Sequence, residues 1–394
     1  MQTETRNLES IPVGALALIP LESCKTLGEK IDRYLVEWRH EREHEHKSTV
    51  AFRDYEKDSY IVKAKIPRFG SGEAKGIITD SVRGDDLFIL VDVCNYSITY
   101  SLSGHTNRMS PDDHFQDLKR IIAASEGKAK RINVIMPFLY EGRQHKRNGR
   151  ESLDCALALQ ELTNMGVDNI LTFDAHDPRV QNAIPLHGFE TIQPVYQFIK
   201  GLFKAAPGLH IDKDSMMIIS PDEGGMSRAV YMANVLGLDM GMFYKRRDYS
   251  KIVDGRNPIV AHEFLGSNVE GKDMVIIDDM ISSGDSMLEV ASALKKRKAR
   301  RIFLCSTFGL FTNGMEKFDK AYDEGIFDYL LTTNLVYQTP ELLSKPYYTG
   351  CDLSKYLAYI IDTLNHDESI SELLSPVDRI NRFLEKNNGP VTAD

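Results

Sequence analysis

The stretch VIIDDMISSGDS at 275–286 carries the densest chemistry in this 394-residue chain. An apolar run ends in two adjacent aspartates, a turn of small residues follows, and a helical pattern begins near Met287. Such a turn offers backbone N–H groups, the hydroxyls of Ser282, Ser283 and Ser286, and a helix N-terminus to an incoming phosphate. Asp278 and Asp279 add carboxylates that can hold sugar hydroxyls, directly or through a cation. The combination suits a phosphorylated sugar. Taken alone, the same residues also describe a tight strand-to-helix turn capped by serine, with its aspartates solvated.

Other polar groups follow other apolar runs. In MPFLYEGRQHKRNGRES (136–152), the guanidinium of Arg143 suits a phosphate or a stacked base, and the amide of Gln144 suits hydrogen bonds to a nucleotide. In FDAHDPRVQNAI (173–184), His176 stands just past a strand-like run between Asp174 and Asp177. SPDEGGMSRA (220–229) sets Asp222 before Gly224 and Gly225, which open a helix. FYKRRDYS (243–250) presents Lys245 and Arg247, cations able to neutralise phosphate charge. The polar run through Asp254, Gly255, Arg256 and Asn257 extends it as a mobile lid. Phe69, Ser71, Gly72 and Glu73 form a turn nearer the N-terminus. Alone, each basic run reads as solvated surface and the 69–73 turn as an ordinary β-turn.

The elements that must position these groups alternate in type. Strand-like runs lie at 86–91, 132–139, 169–173, 216–220, 274–278, 302–306 and 327–333, several of them apolar on both faces as buried parallel strands are. Helical patterns at 151–165, 226–236 and 287–298 fall between them. The alternation reads as α/β architecture with parallel sheets, whose ligands gather at the carboxyl ends of strands. No low-complexity linker marks a boundary, which the prolines Pro185 and Pro194 place near 185–200. The segment after Leu353 reads as helical, with a polar tail.

Composition narrows the function classes. At 42% hydrophobic and 27% charged, the chain reads as globular and soluble, long enough for two cores. A net charge of −9 argues against a general binder of nucleic acid or anionic membrane. Five scattered cysteines without a CxxC pair fit reduced thiols in the cytoplasm. The apolar stretch at 13–21 is too short to span a bilayer, and the polar start carries no signal pattern. His40, Glu41, Arg42, Glu43 and His44 match HExxH, the zinc-protease pattern. The preceding helix buries Leu27, Ile31, Leu35 and Trp38, and His40 falls on roughly the opposite face, so a solvated helix end is expected there.

Taken in order, these motifs resemble those of the ribose-phosphate pyrophosphokinase (PRPP synthetase) family, from about residue 60 to 335 and more loosely to 365. The resemblance implies two phosphoribosyltransferase-like domains, each a largely parallel sheet flanked by helices. Residues 1–187 would carry the ATP site, joined by the helix at 353–394, and residues 188–352 the ribose 5-phosphate site. It further implies a cytoplasmic enzyme of nucleotide biosynthesis that moves pyrophosphate from ATP to the anomeric hydroxyl of ribose 5-phosphate, giving PRPP and AMP. By position, Lys245 and Arg247 inherit the catalytic Lys-x-Arg. Phe69, Ser71, Gly72, Glu73, Arg143 and Gln144 inherit ATP, with the first four reaching it from a neighbouring subunit. Asp278, Asp279, Ser282, Ser283, Gly284, Asp285 and Ser286 inherit ribose 5-phosphate, and His176 and Asp222 inherit Mg²⁺. The family also implies a homo-oligomer, a hexamer by resemblance. Ser71, His145 and Ser282 stand where the family carries Asp (or Asn at 71), and Asp285 where it carries Gly. An added carboxylate beside a phosphate is unfavourable unless it points away or meets a cation. A non-catalytic regulatory or scaffolding relative and a phosphoribosyltransferase are the alternatives.

Overall fold

The computed structural model describes residues 10–42, 52–247 and 259–388. They form two compact units: one holds residues up to Gln193 with 334–337 and 352–374, the other 194–333, 338–351 and the remaining C-terminal residues. Among the described residues no helix is long and apolar enough to cross a membrane.

The first unit opens with β1 (Leu16–Pro20) and α1 (Lys25–Glu41), followed by the short pair β2 (Ala64–Lys65) and β3 (Ile77–Ile78). Then come β4 (Asp86–Leu90), the hairpin β5 (Thr99–Leu102) and β6 (His105–Arg108), α2 (Pro111–Ala124), β7 (Arg131–Ile135), α3 (Asp154–Asn164), β8 (Asn169–Phe173) and β9 (Gly188–Ile192). Five strands make one parallel sheet in the order β1-β4-β7-β8-β9. β4 is buried along its whole length, as its unbroken apolar run demands. α2 begins at a reciprocal cap: Ser110 Oγ accepts the Asp113 N–H while the Asp113 carboxylate accepts the Ser110 N–H, and Pro111 supplies a preset φ. The run at 132–139 reads as one strand in the sequence, yet β7 stops at Ile135. Pro137 has no N–H for the ladder, and its carbonyl instead accepts from Phe173 N and Thr172 Oγ1.

α1 buries Leu27, Ile31, Leu35 and Trp38 as expected, and His40 is exposed. Its end is not simply solvated, however. Arg39 donates through Nε and Nη2 to Asp362 Oδ1 at 2.9 and 2.8 Å, and Arg42 Nη2 donates to Asp362 Oδ2 at 2.6 Å. Burial opposes the charge on Asp362, but the two guanidiniums hold its carboxyl at about 2. The charges pay for their burial by pairing. Glu43 and His44 lie outside the described residues.

The second unit runs α4 (Val195–Ala205), β10 (Met216–Ser220), α5 (Met226–Leu236), β11 (Asp239–Arg247), β12 (Ile259–Leu265), β13 (Asp273–Ile281), α6 (Asp285–Lys296), β14 (Ile302–Gly309), α7 (Glu316–Asp323), β15 (Tyr329–Thr333), α8 (Pro340–Ser344) and β16 (Tyr348–Cys351). Its seven-stranded sheet has the order β12-β11-β10-β13-β14-β15-β16, antiparallel only between β11 and β12. Both units are therefore α/β with largely parallel sheets. α9 (Ser354–Asn365) and α10 (Ser371–Leu374) belong to the first unit, whereas α11 (Val377–Asn387) belongs to the second and sets Phe383 edge-on against Tyr196 and Phe203 of α4.

The amino edges of the two sheets are wired alike. Asp86 opens β4, fully buried, and accepts two bonds from Arg131 at 2.9 and 2.8 Å. Asp273 opens β13, equally buried, and accepts paired bonds from Arg300 and Arg301 at 2.6 to 3.0 Å. Asp168, just before β8, accepts the Ile132 N–H at 2.8 Å, and Asp328, just before β15, accepts the Ile302 N–H at 2.8 Å. Each unit thus fixes the register of neighbouring strands with the same carboxylates.

Candidate active site

β13 runs on through Asp278 and Asp279 to Ile281 before the chain turns. Gly284 makes the turn with φ +82°, a left-handed conformation open to glycine. A Cβ there would lie 2.3 Å from the Phe318 ring, so the position also needs glycine for space. α6 starts at Asp285, and the N–H groups of its first turn have no acceptor within the helix. Leu310 N and Thr312 N donate to the carbonyls of Ile281 and Ser282 at 2.9 and 3.0 Å, fixing the loop from behind. Ser282 Oγ lies 3.4 Å from Thr312 Oγ1. Asp285 meets a cation, Lys317, whose Nζ donates to Oδ1 at 2.5 Å. That bond, with a second from the Ser283 side chain, holds the Asp285 carboxyl below its usual range.

Beside the loop stands the turn after β10. Asp222 Oδ1 accepts the N–H groups of Gly224 and Gly225 at 2.8 and 3.2 Å, an Asx turn that opens α5. On the first turn of α5, Arg228 is 5% exposed and places Nη1 3.6 Å from Asp278 Oδ1 and Nη2 3.9 Å from Asp279 Oδ2. Burial, then the neighbouring Asp279 carboxylate, push the Asp278 carboxyl well up, against the pull of Arg228. Two close carboxylates with one buried cation cannot both ionise without help, so the pair is primed for sugar hydroxyls or a cation. Arg228 and Lys317 are site residues that the sequence reading misses. Arg228 falls within the SPDEGGMSRA stretch but carries no signal that it reaches Asp278 and Asp279, Lys317 belongs to no motif, and only folding brings the two to the loop.

Lys245 and Arg247 stand at the end of β11, with backbone partners His262 and Ile259 on β12. Their side chains, and the lid residues 248–258, lie outside the described residues.

In the first unit the residues expected to meet a nucleotide sit on irregular segments. Arg143 is exposed, whereas the Gln144 amide is already engaged, donating to Ser152 O at 2.8 Å and so closing the 144–152 loop. His145 lies 5.3 Å from His176, ring to ring, with its Nε2 3.5 Å from Asp177 Oδ2. His176 itself is exposed past the end of β8. The turn at 69–73 leaves Phe69 54% exposed, and Ser71 Oγ donates to Glu73 Oε2 at 2.9 Å. Hairpin β5–β6 buttresses this turn. Ser103 N donates to Gly70 O at 2.9 Å, and Arg68 lies 4.4 Å over the Tyr100 ring while bonding Asp117 at 2.9 Å. Among the described residues no three His, Cys, Asp or Glu side chains are grouped to hold a metal ion. The carboxylates of Asp222, Asp278 and Asp279 are the hard oxygen donors that a magnesium ion takes one or two at a time.

A parallel sheet whose central strand ends in paired acids, a glycine turn and a helix N-terminus defines a phosphoribosyltransferase-type domain, here beside a second α/β unit. Family models agree: the N-terminal domain of ribose phosphate pyrophosphokinase matches residues 16–166, and the phosphoribosyl transferase domain matches 189–342. A ribose-phosphate pyrophosphokinase of Vibrio vulnificus is 30% identical over 316 residues, covering 79% of this chain and 91% of that protein. One from Mycoplasma pneumoniae is 28% identical, covering 77% and 85%. The crystal structure of phosphoribosylpyrophosphate synthetase from Mycobacterium smegmatis shares the fold, with a TM-score of 0.68 at 21% identity over 89% of this chain and 99% of that one. The chain belongs to the ribose-phosphate pyrophosphokinase family.

Proposed function

We propose that the protein transfers the pyrophosphate of ATP to the anomeric hydroxyl of ribose 5-phosphate, giving PRPP and AMP. The observation that carries this is the loop after β13, where paired acids backed by Arg228 stand beside the helix N-terminus that Gly284 opens. The 5-phosphate takes the N–H groups at the start of α6 and the hydroxyls of Ser282, Ser283 and Ser286. Asp278 and Asp279 accept the ribose hydroxyls, which orients the anomeric oxygen toward the β-phosphorus of ATP. The new O–P bond forms as the bond from the β-phosphorus to the AMP oxygen breaks. Such a step is mostly positioning and charge neutralisation. Lys245 stabilises charge on the transferring group and Arg247 holds a phosphate. Arg143, Gln144, Phe69, Ser71, Gly72 and Glu73 hold ATP. By family likeness His176 and Asp222 would be the residues that hold Mg²⁺, which would supply charge neutralisation to the nucleotide's phosphates.

The added carboxylate at Asp285 would count for a non-catalytic relative, but Lys317 meets it. A phosphoribosyltransferase has no need of the N-terminal domain that matches at 16–166. Phe69, exposed on its turn, fits a nucleotide site completed by a second copy in a cytoplasmic homo-oligomer, a hexamer by family likeness. The test is incubation of the protein with ATP, Mg²⁺ and ribose 5-phosphate. AMP and PRPP should appear in equal amounts, require both substrates and vanish in Lys245→Ala. Binding of both substrates without turnover would refute the proposal.

A further inference from the structure

Asp285 is a carboxylate on the first residue of α6, the helix whose first N–H groups are proposed above to take the 5-phosphate. A carboxylate there is itself a good acceptor for those N–H groups. Left to itself, Asp285 would therefore compete with a substrate phosphate for the same donors. In this structure its carboxylate is met by Lys317 Nζ at 2.5 Å, and it also holds the Ser283 hydroxyl, which a bound 5-phosphate would take over.

Lys317 is not a loosely placed surface lysine. It lies on the first turn of α7, and α7 and the segment leading into it meet the loop at two further points. Thr312 N donates to Ser282 O at 3.0 Å, and the Phe318 ring fills the space where a Cβ on Gly284 would lie. Contacts at 282, 284 and 285 thus fix α7 against the loop. Both ends of the Asp285–Lys317 pair are about half exposed, at 52% and 50%. Exposed pairs contribute little to stability. What this one does is set the direction of a side chain.

We infer that Lys317 is a positioning residue for substrate phosphate: it draws the Asp285 carboxylate outward and leaves the N–H donors of α6 to the 5-phosphate. The inference rests on the ribose 5-phosphate site proposed above. It explains how a chain with Asp285 in place of glycine keeps a working phosphate loop, through a lysine from another helix.

The experiment combines steady-state kinetics with calorimetric titration of ribose 5-phosphate in the absence of ATP. Lys317→Ala should raise KM and Kd for ribose 5-phosphate about tenfold, while KM for ATP moves by less than about twofold. Lys317→Arg should restore most of the loss. In an Asp285→Gly background, Lys317→Ala should change the ribose 5-phosphate KM by less than about twofold, because no carboxylate remains to compete. An unchanged KM in Lys317→Ala overturns the inference. So does an equal loss in both backgrounds, which would mean that Lys317 acts on the phosphate directly or on folding. Should Lys317→Ala unfold, Lys317→Gln carries the same comparison. A wild-type protein that makes PRPP with Lys317→Ala indistinguishable from it refutes this inference alone; one that binds no ribose 5-phosphate refutes the proposed activity as well.

Discussion

Asp86 and Asp273 open corresponding strands of the two units, each buried and each held by arginine at or just before the start of the neighbouring strand. Six residues further on, the units part. In the first, Asp92 is buried, and its carboxylate accepts the N–H groups of Cys94 and Tyr337 at 2.8 and 2.7 Å. In the second, Asp279 stands beside Asp278 over Arg228, next to a glycine turn and a helix N-terminus. The amino edges are shared scaffold, and the carboxyl edges differ: a lone acid takes two backbone N–H groups in one unit, and a pair of acids stands over Arg228 in the other. On the proposed reading, recognition of the sugar phosphate would rest largely on backbone geometry, with Lys317 meeting the changed side chain at 285. The proposed nucleotide side would rest on side chains of the 69–73 turn and the 143–152 loop, where substitution would alter contacts directly.

The glycine turn is where the comparison breaks most easily. Gly284→Val should abolish ribose 5-phosphate binding, because the residue has φ +82° and the Phe318 ring leaves no room for a side chain. Gly149 in the first unit has φ +88° with open space around it, so Gly149→Ala should cost only the ~1–2 kcal/mol of left-handed strain. Titration calorimetry and thermal melting distinguish the two. Next in size, Asp273→Asn and Asp86→Asn should each destabilise the protein by about 3 kcal/mol in denaturant unfolding, since each leaves buried pairing unmade. Similar losses would support the shared scaffold, and a large loss in one alone would break it. Arg68→Ala should raise KM for ATP about tenfold and leave ribose 5-phosphate untouched, because Arg68 ties the 69–73 turn to Tyr100 and Asp117. A pH-dependent effect concerns Asp92, whose carboxyl burial pushes up to about 7 against its two N–H donors. The folded protein keeps that proton between about pH 4 and 7, while the unfolded chain releases it near 4. Its stabilising share is therefore complete below about pH 4 and lost as pH rises through 7. Asp92→Asn should flatten that slope with PRPP formation intact, whereas Asp279→Asn should cut PRPP formation.

The strand-to-helix loop at 275–298 was legible because a two-faced apolar run, a small-residue turn and an amphipathic pattern each speak locally. β10 and α5 fall at 216–220 and 226–236, as their patterns predict. Local signals mislead where the partner is distant. Arg39 and Arg42 look like part of a charged helix end until Asp362, more than 300 residues away, buries them. β1 reads only as a short apolar stretch, since its strand character comes from pairing with β4. Lys317 carries no signal at all in its spacing from Asp285, and their meeting depends on how α7 packs against the loop.

The central claim is transfer of pyrophosphate through the β-phosphorus of ATP. Following ATP labelled at the β-phosphorus, with ribose 5-phosphate and Mg²⁺, tests it most directly. The account predicts that the label passes wholly into PRPP, with unlabelled AMP formed in equal amount. Label retained in an ADP product, or no turnover by a folded protein that binds both substrates, would contradict it.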